Sequence, residues 1–230
     1  MLLPFKLPVF FSLLPSLGSA QTLAPNEFGL VGPQNAMLFL NGFHFISGAP
    51  DHSLHANHHC TIMSSSFIQC LIYVPGSQPA RMAGIEYIIT GAAFAELPME
   101  ERELWHSHQY EVTSGLLIEP GMPDNVDNEI MKILVNSYGK TVHTWRWDQK
   151  NNSLPLGMPE FVNGYTGNGQ LPQSLIDARD AYFGVNSTAV RLQRAAAGIV
   201  APPVLPGADA WKDGVIIQFG LNRTRGGVPF

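Results

Sequence analysis

Charge is scarce in this chain of 230 residues: Asp, Glu, Lys and Arg make up 13% of it, about half the share usual in a globular protein. The formal net charge is -5 and no block of Lys and Arg occurs anywhere. That excludes the electrostatic footprint needed for a nucleic-acid backbone or an anionic membrane surface. Long apolar runs are lacking as well. The one at the start of the chain is short and interrupted by proline, so no transmembrane span is expected in the mature protein. The familiar catalytic signatures are also missing. There is no H-E-x-x-H, no C-x-x-C, no G-x-S-x-G, no phosphate loop and no dinucleotide fingerprint, which removes the common routes to a named enzyme class. No internal repeat and no low-complexity tract occurs.

What is present is a loop-rich composition with 22 Gly and 18 Pro, in a chain long enough to bury a self-sufficient core. The opening MLLPFKLPVFFSLLPSLGSA places one Lys before an apolar run and small residues before Gln21; this is the pattern of a signal peptide over residues 1–20. Export is consistent with three glycosylation sequons, at Asn151, Asn186 and Asn222. It is also consistent with an even cysteine count, Cys60 and Cys70, expected to be bridged rather than left as two buried thiols. The expected location is therefore secreted, the alternative being the endoplasmic reticulum or a lipid droplet, held through a retained N-terminal segment.

Residues 21–42 are expected to form an arm, 43–200 the folded domain and 201–230 a Pro/Gly-rich tail. Strands are expected at 69–74 (Q-C-L-I-Y-V), 85–90 (I-E-Y-I-I-T), 109–118 and 141–148, with a short one at 215–219. Helices are expected from the A-A-F-A-E-L-P-M-E-E-R-E-L-W run, ending near His106, then at 126–138, 173–183 and 188–197. The fold class implied is α+β, a single domain with a central, mostly antiparallel sheet flanked by helices.

The chemistry is concentrated in imidazoles. All eight histidines lie between residues 44 and 143. In L-W-H-S-H-Q-Y-E-V, His106 and His108 would point the same way on extended backbone, whereas a helical turn would bring His108 and Glu111 together. Joined by His58 or His59 and by His143, these residues form a candidate metal set, taken as His58, His106, His108, Glu111 and His143, with Glu111 a ligand or a general base. Such a set suits zinc, copper or iron without discriminating among them. The competing reading has His106 and His108 bonding backbone carbonyls at a helix end. His44, His52 and His55 are expected to be loop donors, Ser64, Ser65 and Ser66 a turn, and the Trp145/Trp147 stripe ordinary core. A small-molecule or lipid ligand is compatible with all of this, and oligomeric state is not encoded in any visible pattern.

The order H-H-C, Q-C-L-I-Y, G-I-E-Y-I, L-W-H-S-H-Q-Y-E-V and Y-G-K-T-V-H-T-W resembles the oil-body-associated protein family, a domain of unknown function, over about Phe43 to Leu171. The resemblance places the family's histidines and glutamate on His106, His108 and Glu111, its H-x-W histidine on His143 and its two cysteines on Cys60 and Cys70. Where the family reads His-His-aromatic-Cys, this chain reads Asn57, His58, His59, Cys60, so only His58 carries over. Val74 stands where an acidic residue often follows I-Y. The family implies lipid-droplet association and supplies no reaction. Two function classes follow: a non-catalytic binding or structural protein with a conspicuous His/Glu cluster, and a secreted metalloprotein acting as oxidase or hydrolase.

Overall fold

In the computed structural model, residues 38–146 and 154–223 are described. The signal at 1–20, most of the expected arm, Asn151 and Trp147 lie outside them. The first strand, β1 (Leu38–Ile46), already begins within the stretch expected to be an arm. It is followed by β2 (Ala49–Ser64), β3 (Phe67–Tyr73), β4 (Met82–Thr90), a two-residue β5 (His106–Ser107), β6 (Ser137–His143) and β7 (Glu160–Gly164). Every pairing is antiparallel.

The order β4-β3-β2-β1-β7-β6 closes on itself because β4 also pairs with β6, from Gly84 opposite His143 to Thr90 opposite Ser137. The architecture is thus a closed six-strand antiparallel barrel, mostly β with short helices, and this corrects the expected open sheet flanked by helices. The antiparallel expectation holds; the flanking layers do not. Closure removes the unpaired edges that an open sheet would have to cover.

The helices are α1 (Gly91–Ala95), α2 (Met99–Arg102), α3 (Gln109–Ser114), α4 (Asp124–Leu134), α5 (Gln173–Phe183) and α6 (Ser187–Ala196). The run expected as one helix before His106 is split into α1 and α2, the second starting after Pro98, which lacks the N–H a continuing helix would need. The expected strand at 109–118 is helix α3, which buries Glu111 and Val112 and stops at Gly115, where φ is 80°. Alternation of apolar residues suggested a strand there, but the chain needs one helical turn to bring Glu111 round beside His108. Residues 215–219 form no strand. The helices at 173–183 and 187–196 lie within a residue of the expected 173–183 and 188–197.

Direct strand partners share a face. One face of β1 carries Phe43 and Phe45, which pack with Leu116, Tyr165 and Leu171 outside the barrel, against Tyr110, Ile176 and Trp211. The opposite face carries Leu38, Leu40, Gly42 and His44 inward. Across the ladders the same inward row continues through His58, Cys60, Cys70, Ile72, Gly84, Glu86, Thr141 and His143. The disulfide joins Cys60 and Cys70, which stand directly opposite each other on β2 and β3. No helix among the described residues is long and apolar enough to cross a membrane.

Candidate metal centre in the barrel interior

Glu86 is the middle of the site. It projects from β4 into the barrel and is 2% exposed. Imidazoles from separate elements converge on its two carboxylate oxygens. His58 Nε2 of β2 lies 2.9 Å from Oε2, and His44 Nε2 of β1 reaches across to 3.7 Å from the same oxygen. His106 Nε2 of β5 is 3.4 Å from Oε1, and His108 Nε2, just before α3, is 3.1 Å from it. His44 also meets His143 of β6, ring centroids 6.0 Å apart. His44, His58, His106, His108, Glu111 and His143 are all buried.

Local folding explains how the elements deliver these groups. β5 is short because it pairs only through His106 and Ser107 with Gly139 and Tyr138, and the chain then turns into α3. His106 therefore points in from strand geometry, while His108 and Glu111 come from the following turn. His108 Nδ1 is fixed by Ser137 Oγ at 2.8 Å, and that hydroxyl donates to Leu134 O at 2.8 Å. Two glycines make the room. A Cβ on Gly139 would land on Glu86 Oε1 and the His106 ring; one on Gly164 would lie 2.8 Å from both Glu111 Oε2 and His106 Cδ2. An alanine at either position would fill the space these side chains occupy.

Electrostatics reinforce the convergence. Burial alone would push the Glu86 carboxyl up, but contacts from His106, His108 and His58 outweigh it and hold Glu86 well below the usual carboxylate range. Burial, together with neighbouring histidines, keeps His44 well below an ordinary imidazole in spite of Glu86. Burial likewise lowers His108. His106 goes the other way, because Glu86 more than offsets the cost of burial. Burial raises the Glu111 carboxyl to about 8.

Protein groups do not satisfy the cluster. Both ring nitrogens of His106, both of His58 and Nδ1 of His44 have no hydrogen-bond partner, although His58 Nε2 comes within 2.9 Å of Glu86 without hydrogen-bond alignment. Buried imidazole nitrogens are ordinarily paired, and leaving one unpaired costs about 1–3 kcal/mol. Two sets of three donors, His44/Glu86/His106 and His106/His108/Glu111, each have ligand atoms within 4.8 Å of one another. Metal-to-donor lengths of about 2.0–2.1 Å put neighbouring donors about 3 Å apart, which matches the His-to-Glu86 separations of 2.9 to 3.7 Å.

All five residues expected to hold a metal, His58, His106, His108, Glu111 and His143, therefore lie in the barrel interior. Two more belong with them. His44, expected to be a loop donor, is an interior strand residue, and Glu86 lay hidden in the I-E-Y-I-I-T strand; a lone carboxylate between Ile85 and Tyr87 was its only signal. His55 faces outward, its Nε2 2.8 Å from Asn41 Nδ2 and 3.1 Å from Asn41 Oδ1, and His59 lies between Phe39, to which its ring is tilted, and Tyr73, which it meets edge-on. Of the sequons, Asn186 is exposed and caps α6 by accepting from Ala189 N at 2.9 Å, and Asn222 is exposed in the C-terminal segment.

No solved structure matches this chain. Among characterised sequences it is similar to Oil body-associated protein 1A of Zea mays, 37% identical over 156 residues, 68% of this chain and 65% of that protein. Oil body-associated protein 1B of Arabidopsis thaliana is 36% identical over 68% of this chain and 64% of its own length. Oil body-associated protein 2B of Zea mays is 33% identical over 70% and 67%. The chain thus spans a little under two thirds of the first two relatives. Residues 32–197 match the model described as "Protein of unknown function (DUF1264)", a stretch that contains every interior histidine and both interior glutamates, and the chain belongs to this family of oil body-associated proteins.

Proposed function

We propose that the protein is a metal-holding member of this family, with one divalent transition-metal ion inside the barrel and no catalytic turnover. The observation that carries the reading is the Glu86 carboxylate surrounded by four imidazole Nε2 atoms within 3.7 Å. Protons alone satisfy this cluster poorly: an Nε2–H pairs with the carboxylate only when aligned with it, and Nε2 of His58 and of His106 is not so aligned. A divalent cation converts those contacts into ligand bonds and offsets the cost of burying Glu86. His44, Glu86 and His106 are the primary ligands, and His108 and Glu111 join through the shared His106. His58 and His143 complete the interior ring. A donor set rich in imidazole favours zinc, copper or iron over calcium or magnesium. Deep burial of the donors favours a held ion over a centre that exchanges substrate.

The test is elemental analysis of protein purified without a histidine tag and reconstituted separately with zinc, copper and iron. About one tightly held ion per chain is expected, as for a structural site, and Glu86→Gln should lose it. No stoichiometric uptake of any of the three would overturn the reading.

The relatives' names support the lipid-droplet alternative over release from the cell, with residues 1–20 retained as the attachment. Sensitivity of Asn186 and Asn222 to an endoglycosidase would show passage through the secretory lumen; its absence on protein recovered from droplets is the expected result.

A further inference from the structure

Asp209 lies in the C-terminal segment, outside the family match that ends at residue 197, yet it grips the residue between two of the interior histidines. Its Oδ1 accepts the backbone N–H of Ser107 at 2.8 Å and its Oδ2 accepts the Ser107 hydroxyl at 2.6 Å. Its own N–H donates to Trp105 O at 3.0 Å. Asp209 is 3% exposed, and its backbone is left-handed, with φ 56°, the only non-glycine so placed among the described residues. A non-glycine residue held in that region, with both carboxylate oxygens aimed at one target, is being kept there by the contacts it makes. The segment around it is anchored independently: Leu205 N donates to Tyr138 Oη at 2.9 Å, and Trp211 packs edge-on against Phe45.

β5 pairs through only two residues, so the ladder alone defines the aim of His106 weakly. From this arrangement we infer that Asp209 is a positioning residue of the interior metal centre: it clamps Ser107 and thereby sets where the His106 and His108 rings point. This rests on the metal-holding reading. It assigns to the segment after residue 197 a part in the site that the matched family region does not contain. The charge-assisted pair of bonds fixes the peptide between the two ligands much as outer partners fix ligating imidazoles elsewhere.

The experiment uses Co2+ as the probe on the full chain, reading affinity by competition with a chelator and geometry by the visible absorption bands. Asp209→Ala should weaken Co2+ binding at least about tenfold, the scale on which outer partners act, and should shift the bands while far-ultraviolet circular dichroism stays the same. Asp209→Asn should stay within about threefold of the original, because Asn tolerates left-handed backbone and can still accept from Ser107 N and pair with its hydroxyl. Should Asp209→Ala fail to fold, Ser107→Ala, which removes one of the two bonds from the other end, should give a smaller loss with the same band shift. Unchanged affinity and bands in Asp209→Ala, or in Ser107→Ala where Asp209→Ala does not fold, would overturn the inference while leaving the metal reading intact. Failure of the unsubstituted protein to take up Co2+ would instead remove the metal reading and this inference with it.

Discussion

Two arginines beneath the helices are buried as deeply as the histidines inside the barrel, and the two regions treat their buried polar groups in opposite ways. Arg179 gives Nε to Asp180 Oδ1, Nη1 to Asn41 Oδ1 and Leu116 O, and Nη2 to Gly115 O and Ser187 Oγ, all within 3.2 Å. Arg194 gives Nε and Nη2 to the two oxygens of Asp127, and Nη1 to Val112 O and Leu117 O. Every guanidinium nitrogen there is matched within the protein. The interior differs, since imidazole nitrogens of His44, His58 and His106 are left over around one carboxylate. A balanced buried network is sufficient for architecture; an unbalanced one of the same depth implies a group supplied from outside.

Breaking the balanced side should have the largest effect. Arg179→Met takes the donors away from the carbonyls of Gly115 and Leu116 and leaves Asp180 with Ser187 alone as its partner, and should cost about 3–5 kcal/mol of stability, read from the urea midpoint. Metal content per folded chain should not change. A parallel fall in metal content, measured where the variant is still fully folded, would mean the two regions are coupled.

The unbalanced side should break at a glycine. Gly139→Ala sets a methyl group on Glu86 Oε1 and the His106 ring; overpacking of this kind costs about 1–3 kcal/mol. Metal affinity should fall further, by at least about tenfold, as when a ligand's support is lost. Gly220→Ala, where an added Cβ meets nothing within 4 Å, is the matched control and should alter neither stability nor metal uptake. Equal metal affinity in Gly139→Ala would contradict the claim that this space belongs to the ligand set.

The same contrast explains how much could be read before the structure. His58, His106 and His108 were legible as candidates because histidine pairs stand out in a sequence poor in charge, Glu111 because it follows His108 by three residues, and His143 because the family resemblance marks it. Cys60 and Cys70 were legible as a bridge for similar reasons. His44 was not, because L-F-L-N-G-F-H-F-I contains an Asn-Gly step that resembles a turn, whereas Asn41 faces outward to be held by Arg179 and Gly42 faces inward. Glu86 was not, because an acidic residue in a strand reads as solvent-facing until the register with Cys70 and Thr141 shows that its face is the interior. Barrel closure depends on β1 meeting β7 and β4 meeting β6, pairings between distant segments that no local period encodes. Helices α5 and α6 were legible from the glycines just past their ends, Gly184 and Gly198, yet the role of Arg179 and Arg194 in docking them was not.

One acid beside the paired arginines, Glu119, departs from the rule, and pH reveals it. Both carboxylate oxygens of Glu119 are buried without a hydrogen-bond partner. Burial, then repulsion from Asp127, push its carboxyl up to about 7 in spite of attraction from Arg194. The unfolded chain releases this proton near the ordinary value of 4.5, whereas the folded chain keeps it until about 7. Between those values the folded state binds more protons, so this group's contribution makes stability fall as pH rises from about 4.5 through about 7, and the loss then levels off. The buried imidazoles of His44 and His108, lowered in the folded state, act with the opposite slope, which is why the comparison must be between chains and not within one. In urea titrations at pH 5 and pH 8, Glu119→Gln should gain stability relative to the unsubstituted chain at the higher pH and much less at the lower. An equal offset at both would show that Glu119 is ionised in the folded protein throughout, with a partner that balances it as Asp127 balances Arg194.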